Sequence, residues 1–307
     1  MPATETRVSA TVGGLVALCA WASTIAVSRH LAESIGALRS GTLVFLLAGT
    51  LGCVRYLADR RGWRDAVALP KAHLGISGGL FAAYIAALYL AIGLAANRRA
   101  VLIVGMLNYL WPALTLLLSV PILKRRCTAG VIPGAVLALA GEALVIAGGT
   151  GATLPAGGGT RNAVAFMLAA AAAVCWALYS NLTRRLAGQA RGDAVPLFML
   201  AAAAVLLPLN ILFPAHATWT GRVFLELGFM VVFPGLLAYS CWDRGMRNGN
   251  ATLLATASYF VPVAATAIGC WYLQVQAGWA LWAGCALVVA GACICYRAFT
   301  LAGDGQA

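Results

Sequence analysis

The chain has 307 residues, of which 62% are hydrophobic and 10% charged, with a formal net charge of +12 and a mean hydropathy of +0.87. A water-soluble domain of this size could not hide so much apolar surface, which excludes a soluble enzyme and makes the bilayer the expected solvent. No basic stretch is interleaved with aromatics, so nucleic acid is not an expected partner, and the positive balance follows from membrane topology and anionic headgroups.

A membrane span needs about 20 mostly apolar residues. In chain order, ten such segments are expected, at roughly 8–28, 37–57, 74–96, 100–122, 129–149, 162–183, 195–214, 222–242, 250–273 and 277–296. Their apolar runs are unbroken, whereas barrel strands would alternate with period two, so the expected fold is all-α, an integral membrane protein of ten transmembrane helices. Residues 1–150 and 162–307 form two halves, joined by a Gly-rich loop at 151–161 that contains Pro155. The first apolar stretch follows Arg7 and contains Ala20-Trp21-Ala22, which leaves a cleaved signal peptide as the competing reading of the N-terminus.

The two halves match. Trp21-Ala22, Arg29 and Leu31-Ala32 recur 155 residues later as Trp176-Ala177, Arg184 and Leu186-Ala187. Tyr89 and the pair Tyr109/Pro112 recur 150 residues later as Tyr239 and Tyr259/Pro262. One indel between the blocks explains the change of offset. Since Trp176 lies inside an interior span, the first segment reads as a retained helix. Five spans per half is an odd number, so the second half must enter the bilayer upside down, and inverted repeats of this kind place a substrate site at the midplane around a central cavity.

Lys and Arg set the orientation. With the N-terminus in the cytoplasm, fifteen of the 21 basic residues fall inside and six outside, namely Arg29, Arg39, Arg98, Arg99, Arg161 and Arg222. Both termini are therefore expected in the cytoplasm. The nine cysteines are scattered through apolar segments, without the clustering of a metal site or a disulfide framework. No metal, cofactor or obligatory protein partner is expected.

At about 1.5 Å per residue, Tyr84, Trp111, Trp176 and Tyr259 fall near mid-depth of their spans. Tyr and Trp ordinarily seek the headgroup interface. Placed at mid-depth, each needs a polar partner away from water, which either a wet aromatic cavity or local helix packing supplies. Pro112 and Pro262 remove a backbone donor and free the carbonyls of Asn108 and Ser258, as hinges or kinks. Such carbonyls, with the uncharged amide of Asn108, could receive an ammonium group. No basic residue lies well inside a span, which argues against a strongly anionic cargo, and of the nine acids only Glu142 is deep, a candidate proton or cation site.

These residues carry a resemblance. Leu107-Asn108-Tyr109-Leu110-Trp111-Pro112-Ala113-Leu114-Thr115, then Ile132-Pro133-Gly134 and Gly148-Gly149, with Cys175-Trp176-Ala177-Leu178-Tyr179-Ser180 and Leu18 to Ser23, resemble the EamA-like drug/metabolite transporter superfamily. Within it the chain is most similar to the YddG-type aromatic amino acid exporters. The resemblance implies ten helices in two inverted five-helix halves and export of aromatic or other neutral amino acids across a bacterial inner membrane by alternating access. Tyr84, Asn108, Tyr109, Trp111, Trp176, Tyr179 and Tyr259 are the expected substrate-binding residues.

Two rivals remain. A multidrug exporter of lipophilic cations would use Glu142 and the same aromatic walls. An intramembrane serine enzyme would use Gly75-Ile76-Ser77-Gly78-Gly79, which fits G-x-S-x-G, although that motif starts a membrane span and His30, His73 and His216 lie near membrane edges.

Overall fold

In lipid every backbone N–H and C=O must be satisfied within its own segment, so long apolar runs fold as helices. The computed structural model describes residues 3–58, 60–149, 159–187, 192–276 and 278–304, and among them only helices, turns and short links occur. The first half contains α1 (Ala3–Ala22), α2 (Thr24–Ile35), α3 (Ala37–Ala58), α4 (Arg60–Val67), a π-helical segment (His73–Ser77) running into α5 (Gly78–Leu94), α6 (Arg98–Asn108), α7 (Trp111–Leu123) and α8 (Val131–Gly149). The second contains α9 (Gly159–Ala187), α10 (Val195–Leu212), α11 (Gly221–Met230) running through a π-helical segment (Val231–Leu237) into α12 (Ala238–Asn248), α13 (Ala251–Ser258), α14 (Val261–Leu273) and α15 (Trp279–Asp304). Most of the Gly-rich loop, 150–158, lies outside the described residues.

Among the described residues, seven helical stretches are long and apolar enough to cross a membrane, eight if α1 and α2, bent by 41°, make one span. The chain is a multi-pass membrane protein. The ninth expected span is broken, leaving α14, and the fifth corresponds to α8, Val131–Gly149.

The breaks have local causes. At the end of α1 the Ser23 hydroxyl bonds the Ala20 carbonyl at 2.8 Å, offering the backbone an alternative to helix where the chain turns into α2. Pro112 and Pro262 are each the second residue of a helix, α7 and α14, where the missing N–H costs nothing and the fixed φ suits a helix start. Each therefore stands in the first turn after a two-residue interruption, and Arg98–Leu123 still forms one apolar stretch across Pro112. The recurrence is close: α6 and α13 end at Asn108 and Ser258, α7 and α14 have 13 residues each, and both end in a left-handed residue, Lys124 and Gln274, at φ 53°.

The most extensive helix pairings are α8 with α15, α3 with α10, α5 with α9 and α1 with α12. Glycine makes the first of these possible. A Cβ on Gly291 would lie 2.5 Å from the Gly134 carbonyl oxygen, and one on Gly141 would lie 2.7 Å from that of Gly284. The close approach of small residues replaces a hydrophobic driving force that lipid does not supply.

Candidate substrate site

α1, α5, α7, α9 and α12 bring their aromatic residues to a single point. Trp21 from the end of α1 lies edge-on to Trp176 of α9, with ring centroids 5.6 Å apart, and packs on Tyr239 at 5.0 Å and Trp242 at 5.4 Å, both from α12. Trp111, the first residue of α7, closes the ring against Trp176 at 6.2 Å and Trp242 at 5.6 Å. Tyr84 of α5 lies 4.9 Å from Trp176. Offset and edge contacts of this kind each contribute about 0.5–1.5 kcal/mol beyond burial.

The Trp21 indole N–H donates to the Pro234 carbonyl at 3.1 Å, inside the π-helical segment between α11 and α12. A π turn leaves backbone carbonyls displaced from the regular ladder and is frequent at functional sites. Here it fixes the rotamer of the residue at the centre of the aromatic cluster.

A small cavity opens among these rings. Tyr84, Asn108, Tyr109, Trp111 and Trp176 line it, together with Trp21, Thr24, Tyr239 and three aliphatic residues, Ile25, Leu88 and Val261. Its free space is about 30 Å³, room for roughly two waters and not for an amino acid. The Tyr84 hydroxyl lies within hydrogen-bonding reach of Asn108 and Tyr239. Thr24 Oγ1 and Asn108 Oδ1 are buried, and among the described residues neither has a hydrogen-bond partner. An orphan buried acceptor is costly unless something arrives to satisfy it.

Five of the seven expected site residues thus meet. Tyr179 stands one ring behind, 5.0 Å from Trp176 and 5.6 Å from Phe81. Tyr259 is elsewhere, buried with Leu116, Ala292, Cys295 and Phe299 against α15. Its direction differs from the expectation, because successive helical residues point about 100° apart and the α13–α14 break turns Tyr259 away. Glu142 is on α8, and its side chain lies outside the described residues.

Sequence reasoning missed Trp21, Thr24 and Tyr239 as wall residues. The repeat held the signal for two of them, since Trp21 matches Trp176 and Tyr239 matches Tyr89. The serine motif has a structural explanation. His73 Nδ1 and Ser77 Oγ are 3.0 Å apart, Ser77 is fully buried and His73 packs on Phe198, so both side chains have packing roles between helices.

The model of the EamA-like transporter family matches residues 9–147 and again 163–297, most of the chain. The chain belongs to the EamA-like transporter family. It is 30% identical over 297 residues to the aromatic amino acid exporter YddG of Escherichia coli K12, covering 95% of this chain and 98% of that one. It is 31% identical over 300 residues to the protein of the same name from Ancylobacter novellus, covering 94% and 97%. A solved crystal structure with 29% identity superposes with a TM-score of 0.70 over 98% of this chain and 100% of the other.

One end of this EamA-like transporter is tied by two carboxylates. Glu226 of α11, 8% exposed, accepts hydrogen bonds from Arg222 Nε at 2.7 Å and from the Tyr272 hydroxyl of α14, and lies 2.6 Å from His30 Nδ1 of α2. Glu33 of α2 pairs with Arg29 at 2.8 Å and with Arg98 of α6 at 2.7 Å. Arg98 also donates to the Leu273 carbonyl of α14 at 2.9 Å. Four half-length helices, α2, α6, α11 and α14, are thereby joined, and each meets its continuation at a break or π segment.

Proposed function

We propose that the chain is a secondary transporter that exports aromatic and other neutral amino acids across the bacterial inner membrane by alternating access. The observation that carries this reading is the composition of the cavity wall: Trp21, Tyr84, Trp111, Trp176 and Tyr239 surround the uncharged acceptors of Asn108 and Thr24. An aromatic ring finds stacking partners there, and a zwitterionic head group finds polar partners with no buried net charge to repel it. The names of the relatives point to the same cargo.

Ten spans in two inverted halves are the architecture this reading uses. The twofold family match supports two copies. The packing supports a two-fold relation, since exchanging the halves maps α3/α10 and α8/α15 onto themselves and α1/α12 onto α9/α5. The Lys and Arg count supports both termini in the cytoplasm, with the Glu33 and Glu226 ties toward the outer face. A cavity of about 30 Å³ must widen to take its cargo, and the outer ties favour opening toward the cytoplasm first. The half-helices α2, α6, α11 and α14, moving on their mid-depth breaks, form the outer gate.

Export is tested with intact cells loaded with a tryptophan-containing dipeptide. Cells expressing the chain should release more tryptophan than cells expressing Trp111→Ala at equal protein level; equal release would refute the reading. Glu142→Gln should leave tryptophan release in place. A variant that loses it, together with wild-type protein that moves lipophilic cations, would favour the multidrug exporter.

A further inference from the structure

At the α6–α7 junction the chain sets two opposite helix ends against each other. α6 stops at Asn108 and α7 starts at Trp111, both on the cavity wall. A helix C-terminus carries partial negative charge on its unpaired carbonyls and an N-terminus partial positive charge on its unpaired amides. The amides of Trp111 and Ala113, in the first turn of α7, have no carbonyl partner within that helix. Beside this pair of poles stand the orphan acceptors Asn108 Oδ1, in a side chain 4% exposed, and Thr24 Oγ1, on the first residue of α2.

Such a pair of poles is the complement of a zwitterion. We infer that the α6–α7 break is the head-group subsite of the transporter: Asn108 Oδ1 and Thr24 Oγ1 accept from the α-ammonium, and the first turn of α7 receives the α-carboxylate. The inference rests on the transport reading above and adds what that reading leaves open, namely which end of the cargo goes where and why both charges are needed. The second break does not offer the same site. Val261 at the start of α14 reaches the cavity, but Ser258 at the end of α13 is not among the lining residues and Tyr259 between them points toward α15.

The consequence is selection of the α-amino acid class over compounds with the same ring and one charge. Trp21, Tyr84, Trp111 and Trp176 would hold the ring of tryptophan, of tryptamine and of indole-3-propionate alike. Only tryptophan satisfies both poles.

The test uses full-length protein in liposomes preloaded with unlabelled tryptophan, with counterflow of labelled tryptophan inhibited by each of the three compounds. Tryptophan should inhibit at least tenfold more strongly than tryptamine or indole-3-propionate. Asn108→Asp adds a carboxylate beside the ammonium and against the substrate carboxylate, and should move the tryptamine-to-tryptophan inhibition ratio at least tenfold toward tryptamine. Should that variant fail to fold, the near-isosteric Thr24→Val should weaken tryptophan and tryptamine severalfold and leave indole-3-propionate unchanged. Equal inhibition by tryptophan and tryptamine in the wild type would overturn the subsite and leave the transport reading standing. Absence of any tryptophan counterflow would overturn both.

Discussion

The indole of Trp21 meets the indole of Trp176 edge to face, with ring centroids 5.6 Å apart, although the two residues are 155 positions apart and occupy matched places in the two halves. Residues related by a two-fold axis can touch only near that axis. Under the proposed two-fold relation between the halves, this contact lies near the axis, where a shared substrate site would stand.

Removing either ring takes away one wall of the site. Trp21→Ala and Trp176→Ala should each raise the half-saturating tryptophan concentration about tenfold, since losing an aromatic contact and its burial costs on the order of 1.5 kcal/mol or more. Phe at either position should recover part of the loss. Concentration-dependent counterflow measures both, and an unchanged affinity in Trp176→Ala would remove that residue from the site.

Tyr259 supplies a contrast. Its hydroxyl is buried without a hydrogen-bond partner among the described residues, so Tyr259→Phe removes an unsatisfied group and should leave transport unchanged and stability equal or slightly higher. Tyr84→Phe removes a hydroxyl that faces Asn108 and Tyr239 and should lower transport severalfold. Parallel transport and melting measurements on the two variants compare a residue of the site with one that shares only its depth.

The carboxylate of Glu226 holds α2, α11 and α14 together through His30, Arg222 and Tyr272. Hydrogen bonds to a charged group are worth about 1.5–3 kcal/mol, so Glu226→Gln should shift the protein toward outer opening about tenfold or more. In a Thr24→Cys background, labelling of that cysteine by a membrane-impermeant maleimide added outside whole cells should rise accordingly. Labelling that stays at the level of the parent would mean that the tie does not govern outer access.

Gly291 and Gly134 set the approach of α8 to α15. Gly291→Val places a branched side chain where a Cβ already lies 2.6 Å from the Ala138 amide nitrogen, and overpacking of this sort costs about 1–3 kcal/mol. The unfolding temperature in detergent should fall by several degrees, while any remaining folded protein keeps its affinity for tryptophan, because this pair is remote from the cavity.

The helical class was legible because lipid leaves few alternatives to a helix for long apolar runs. Much of the cavity lining was legible because Tyr84, Asn108, Tyr109, Trp111 and Trp176 are out of place in hydrocarbon. What escaped depends on direction and on distant partners. Depth along a span says nothing of the face a side chain takes, which is why Tyr259 was grouped with Tyr109. The prolines announced the disturbances at Asn108 and Ser258, where the helix is interrupted for two residues. Ser23 gave little warning, since its counterpart region in α9 runs on as one helix. The tie between His30 and Glu226 spans 196 positions, and no local pattern encodes it.

Amino acid transport through the aromatic cavity is tested by uptake of labelled tryptophan, phenylalanine and a neutral aliphatic amino acid into liposomes holding the purified protein, with and without a pH gradient and with Trp111→Ala alongside. The native chain should take up the aromatic amino acids, and folded Trp111→Ala protein should lose that uptake. Failure of every amino acid to enter, with lipophilic cations moving instead, or full uptake by the variant, would contradict this reading.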